Sequence, residues 1–181
     1  MSHAPIAADP AKHLTDPRAA LFSGVAWLVV VLYLAPHPYD ANWARALLVL
    51  APAACLPLLL PSFLERASML RTVVRPRGAW LTSWWFVALI ALAVAQSLDV
   101  GVVATLAALP WALLLAAFGV DAALGLRPRE FFASPTALCV GAAPLLGIVG
   151  AAWTLFDRLG VRPLELPTAI VLLTAIHFHF A

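Results

Sequence analysis

The stretch GVVATLAALPWALLLAAFGVDAALGL, residues 101–126, decides the fold. Its 26 consecutive residues contain one ionisable side chain, Asp121. As an α-helix the stretch rises about 39 Å, more than the roughly 30 Å hydrocarbon core of a bilayer. A helix that is apolar all round has no face to offer water, so it must be buried in protein or in lipid. Residues 101–126 therefore predict a membrane-spanning helix.

Working outward, the same pattern recurs. Further spans are expected at about 19–35, 43–64, 79–96, 134–156 and 164–181, separated by short links. Each must be helical, because hydrocarbon offers a backbone no other hydrogen-bond partners. The composition agrees: 64% of the 181 residues are hydrophobic and 11% charged, against roughly 45–50% and 25% in soluble domains. With so few charges a soluble surface of this size could not be wetted, and a net charge of +2 leaves no electrostatic footprint for nucleic acid. The expected fold is an all-α polytopic transmembrane bundle of about six spanning helices, its main partner the lipid bilayer. Residues 1–18, with Pro5, Pro10 and Pro17, read as a disordered arm rather than a signal peptide.

Link charges set the orientation. The arm carries Lys12 and Arg18; the link after the second span carries Arg66, Arg71, Arg75 and Arg77; the link after the fourth carries Arg127 and Arg129. These share one side, whereas the other side has Arg45, Arg158 and Arg162. The positive-inside rule places the first group, and with it the amino terminus, in the cytoplasm. Ten Arg against one Lys, among Ala and Leu, point to a GC-rich bacterial genome and so to the bacterial inner membrane. Trp43, Trp80, Trp84 and Trp85 fall near expected helix ends, the place of interfacial aromatics. Cys55 and Cys139 lie in apolar runs and read as buried free thiols.

Three features could carry chemistry. His177 and His179 lie within the sixth span; at spacing i, i+2 they point about 200° apart. One metal ion held by both is disfavoured, whereas two separate centres, or one ligand and one hydrogen-bonding group, fit. Imidazole serves haem iron, copper and zinc alike. A neutral pair hydrogen-bonded to neighbouring helices is the plainer alternative. Asp121 lies one turn before the cytoplasmic end of the fourth span, where it could pair with a histidine as a proton relay or substrate site, snorkel to the interface, or pair with Arg127 or Arg129. Pro52 and Pro57 break the second span and Pro144 the fifth, corresponding positions if the bundle consists of two inverted three-helix halves. Such paired interruptions point to a transporter site. Ala143, Gly147 and Ala151 share a face and predict close helix packing. Pro110 is expected to kink the fourth span.

The segment Leu173-Thr174-Ala175-Ile176-His177-Phe178-His179-Phe180-Ala181 resembles the hallmark of the YndJ-like family of bacterial polytopic membrane proteins. There a Thr-Ala-x-His-Phe-His-aromatic-Ala run continues into Gly-Phe, which this chain lacks. The resemblance implies a transporter-like membrane protein. The same run is similar, in local geometry only, to the His-Phe-His-Tyr stretch of haem–copper oxidase core subunits, where the two histidines bind different haems. The other histidines, His3, His13 and His37, lie outside the expected spans.

The sequence thus supports a transporter-like protein with a polar intramembrane site near His177, His179 and Asp121. A haem- or metal-binding redox protein ligated by His177 and His179, and a structural or assembly membrane protein, stay open. The sixth span stops short of a full bilayer crossing and has no basic flank. This leads us to expect a fragment of a larger bundle that packs against further helices of the same protein or of a partner subunit.

Overall fold

The computed structural model describes residues 24–25, 27–28, 41–55, 78–125 and 127–180. The expected arm, most of the first span, the loop holding His37 and Asp40, the stretch with Pro57 and Pro61, and the arginine-bearing link 65–77 lie outside them.

Among the described residues the ordered structure is helical, with five helices of ten residues or more. They are α1 (Ala41–Leu50), α2 (Gly78–Ser97), α3 (Val102–Gly125), α5 (Pro135–Leu159) and α6 (Thr168–Phe180), with a single turn, α4 (Pro128–Phe131), between α3 and α5. α1 runs into a π-helical turn, Ala51–Cys55, around Pro52. Proline has no N–H to give, and the widened turn accommodates the missing bond. Pro110 and Pro144, by contrast, sit inside α3 and α5, which continue through them.

α3 is central. It packs against α2 on one side and α5 on the other; α5 packs in turn on α6, and α6 on α1. α3 comes close to α5 at Gly119, where a Cβ would collide with the Ile148 side chain and lie 2.9 Å from the Pro144 carbonyl. α5 meets α6 at Gly150, where a Cβ would stand 3.2 Å from the backbone carbon of Phe178. On the expected small-residue face of Ala143, Gly147 and Ala151, Ala151 is buried in the core with Trp111 and Leu115, and a Cβ on Gly147 would meet Leu115 at an ordinary 3.7 Å. Backbone proximity is set by what stands opposite each glycine, which spacing alone does not reveal.

The outward face of α3 is as apolar as its inward one. Val102, Val103, Leu106, Leu113, Val120 and Leu124 are each between 53% and 70% exposed. α3 and α5 are, among the described residues, the two helices long and apolar enough to cross a membrane.

Several expectations are corrected. Trp85 is not an interfacial residue but is buried in the core, edge-on to Trp111 with ring centroids 5.6 Å apart. Cys139 is a free thiol on an exposed face of α5; apolar sequence surroundings do not imply burial when the helix exterior is itself apolar. The fifth helix extends to Leu159, not Phe156, because the reversing residue is Gly160, at φ 76°. There Gly160 N–H donates to the Asp157 carbonyl and Val161 N–H to that of Phe156, a Schellman closure. Arg158 is therefore a buried residue of the last helical turn and not a loop charge. The last helix begins at Thr168 rather than Leu164, since Pro163–Glu165 form a separate turn with Leu164 at φ 56° and Glu165 at φ 59°.

Candidate functional site

The two histidines of α6 separate as the 200° rule requires. His177 is exposed, its ring edge-on to Phe178. His179 turns inward to the junction of α3, α5 and α6. Its Nε2 stands 2.9 Å from the indole Nε1 of Trp111, and its Nδ1 stands 2.7 Å from the carbonyl oxygen of Ala175. An indole N–H can only donate and a carbonyl can only accept. His179 is therefore the neutral tautomer with its proton on Nδ1, accepting from Trp111 at Nε2 and donating to Ala175 one turn back. The two rings lie nearly parallel, 21° apart with centroids 6.0 Å apart, and Trp85 closes the other flank of Trp111.

Gly150 makes this arrangement possible. A Cβ there would lie 2.7 Å from His179 Nδ1, so only a glycine lets the imidazole into the α5–α6 crevice. The Gly150 carbonyl accepts from Thr154 Oγ1 at 2.9 Å.

Both ring nitrogens of His179 are thus engaged. A metal at Nε2 would have to displace the Trp111 indole, and one at Nδ1 would have to displace the proton held by Ala175. Among the described residues, no group of three His, Cys, Asp or Glu side chains is placed to hold a metal ion.

Asp121 is buried, 6% exposed, near the other end of α3. It and Trp111 are ten residues apart on one helix, about 15 Å. The structure therefore brings His179 together with Trp111 and not with Asp121.

A second polar group, which the sequence reading missed, sits where α2 passes to α3 and α5 to α6. The Arg158 guanidinium, 0% exposed, donates to Asp157 Oδ2 from Nε at 2.9 Å and from Nη2 at 2.6 Å. It also donates from Nη1 to the carbonyls of Ala95 at 3.1 Å and Leu98 at 3.4 Å. The Arg158 carbonyl accepts from Gly101 N–H at 2.7 Å. The pair thus fastens the end of α5 to the α2–α3 link. Gln96 is fully enclosed beside it, and Arg45 of α1 is half-buried nearby. The signal in the sequence was Asp157-Arg158 ahead of Gly160: a glycine stop two residues downstream keeps both charges in the helix.

The family model described as YndJ-like protein matches residues 46–181 of this chain. No curated protein and no solved structure matches it.

Proposed function

The chain belongs to the YndJ-like family, and from that premise we propose that it is a transporter-like integral protein of the bacterial inner membrane, with six spans and its amino terminus inside. The outward apolar face of α3 supports membrane embedding, since in water a continuous exposed stripe of Val and Leu would be an aggregation surface. Placed in a bilayer, α3 and α6 both enter from the end carrying the Arg158–Asp157 pair. Trp111 lies nine residues from the start of α3 and His179 eleven from that of α6, depths of about 14 and 17 Å. Both fall near the middle of a roughly 30 Å core, where substrate and coupling-ion sites of transporters are found.

The observation that carries this reading is the Trp111–His179 hydrogen bond at that depth. Polar groups within membrane helices are costly and mark pathways. His179 can take up a proton at Nε2 only by releasing the Trp111 N–H, because the nitrogen cannot accept from indole and carry its own hydrogen at once. Proton uptake would thereby loosen the link between α3 and α6, the kind of differential contact that lets an ion shift a conformational equilibrium. Asp121, nearer the inner end, would be the next proton acceptor on the path.

The test uses the purified full chain in liposomes enclosing a pH-sensitive dye, with a potassium diffusion potential imposed. We expect proton flux in the parent protein, abolished by His179→Gln and lowered several-fold by Asp121→Asn. Flux unchanged in His179→Gln would remove the histidine from the mechanism. Release of the protein from membranes by alkaline carbonate would overturn the membrane assignment itself.

A further inference from the structure

The proton path proposed above runs through His179 and leaves the other histidine of α6 unused. His177 is exposed, and among the described residues no hydrogen bond reaches its ring. It lies nine residues into α6 from Thr168, a depth of about 14 Å within a hydrocarbon core of roughly 30 Å. The exposed faces of α2 and α3 are apolar along their middles, from Val87 and Ile90 to Leu106 and Leu113, as lipid requires. An imidazole among them is out of place, because ionisable groups at that depth face a polar partner across a helix interface. Its neighbours on the face are apolar: Ile170, Leu173 and Phe180 are 43%, 45% and 46% exposed. With His177 they follow a three-four-three spacing that confines all four to an arc of about 80°. The other side of α6 is already filled. Leu172 and Ala175 pack with Ala44 and Leu48 of α1, and His179 enters the crevice against α5 at Gly150.

We propose that this face is the seam of a homodimer, occupied by α6 of a second copy of this chain. Two copies inserted the same way round in a bilayer are related by a two-fold axis along the membrane normal. Their α6 helices then run parallel, and each position meets its own counterpart. The spacing of Ile170, Leu173, His177 and Phe180 is that of the a and d positions of a parallel two-helix coil. Position 177 therefore meets position 177. A neutral imidazole has one nitrogen that donates and one that accepts, so it complements itself: one ring gives its N–H and the other receives it. A chain of different sequence would need a matching polar group at the same depth, whereas a second copy carries one by symmetry. One polar pair in an apolar seam also fixes the register, since a slip of one turn would set both imidazoles against apolar residues. The proposal rests on the membrane embedding above and not on proton flux, because His179 stays inside each protomer.

The experiment uses the full chain with Cys55 and Cys139 replaced by alanine, first in native membranes under mild oxidant. Leu173→Cys should give a disulfide-linked dimer of the chain. Leu106→Cys, at a similar depth on the exposed face of α3, should stay monomeric. Dimer fraction against dilution is then read by single-molecule photobleaching of dye-labelled protein in liposomes. His177→Leu should raise the dissociation constant at least about threefold, the scale of one hydrogen bond between membrane helices. His177→Asn, which keeps a donor and an acceptor, should dimerise about as tightly as the parent. His177→Leu should also melt no lower than the parent in detergent, which separates a lost interface from a lost fold. Monomers at every density, cross-linking no stronger at 173 than at 106, or a dissociation constant unchanged in His177→Leu would overturn the proposal. A monomer that still conducts protons overturns the dimer alone, and a dimer without flux overturns the transport reading alone.

Discussion

His179 shows how much one side chain's surroundings alter what its chemistry can be. In sequence, paired imidazoles two residues apart suggested ligands; in the fold, the inward one is spoken for at both nitrogens by Trp111 and Ala175. A double-mutant cycle tests whether the bond is energetically real. Trp111→Phe keeps an aromatic ring and removes the donor, and His179→Phe removes the acceptor. The coupling measured by thermal unfolding in detergent should be about 0.5–1.5 kcal/mol, the range for such bonds between membrane helices. Zero coupling would mean the two rings merely adjoin. A second substitution probes the space around the imidazole. Gly150→Ala puts a methyl group 2.7 Å from Nδ1 and 3.2 Å from the Phe178 backbone. Since backbone cannot rotate aside, the helices must separate, at about 1–3 kcal/mol, read as a lowered melting temperature. The histidines were legible because their spacing alone fixes opposite faces. Trp111 was not, because in an apolar helix it counts as one more hydrophobe. Its signal was position: a tryptophan beside Pro110, well inside the expected span, is not at the helix end where an interfacial tryptophan would be expected.

At the scale of the element, α5 carries the most information. Ser134 caps its start, accepting from Ala137 N–H, with Pro135 in the first turn; Gly160 ends it. Between them the helix supplies the glycine that admits His179 and the ion pair that holds the α2–α3 link. That pair is buried on both sides, with side chains 0% and 1% exposed, so breaking it differs from replacing it. Arg158→Met leaves the Asp157 carboxylate enclosed without its cation and frees the Ala95 and Leu98 carbonyls; about 3–5 kcal/mol should be lost. Combining it with Asp157→Leu removes the stranded charge and should recover most of that. If the single and double variants melt alike, the pair contributes nothing beyond packing. The bounds of α2 and α3 were readable from hydrophobicity: Gly78–Ser97 and Val102–Gly125 fall within a residue of the expected 79–96 and 101–126. What hydrophobicity misplaced was the end of α5, since two charges look like a loop unless the glycine that actually stops the helix is taken as the boundary.

For the molecule as a whole, the helices' existence was readable because lipid and protein interior demand the same residues, and that identity is also why burial was not. Cys139 and Trp85 were assigned to the wrong environments for this one reason: among uniformly apolar helices, composition cannot tell an inner face from an outer one. Charge is the remaining guide to sidedness. The link joining α3 to α5 carries Arg127 and Arg129, both exposed, while the α2–α3 link at the opposite end carries Asp99 and no basic residue. Translocation is disfavoured for short basic links and little affected by acidic ones, so residue 129 should face the cytoplasm and residue 99 the outside. With Cys55 and Cys139 replaced by alanine, a cysteine at 99 should react with a membrane-impermeant maleimide in intact cells, and one at 129 only after permeabilisation. The reverse pattern would put the amino terminus outside and the Arg158–Asp157 end of the bundle on the cytoplasmic face. The midplane depth proposed for His179 would be unchanged, because such a position is nearly equidistant from both surfaces.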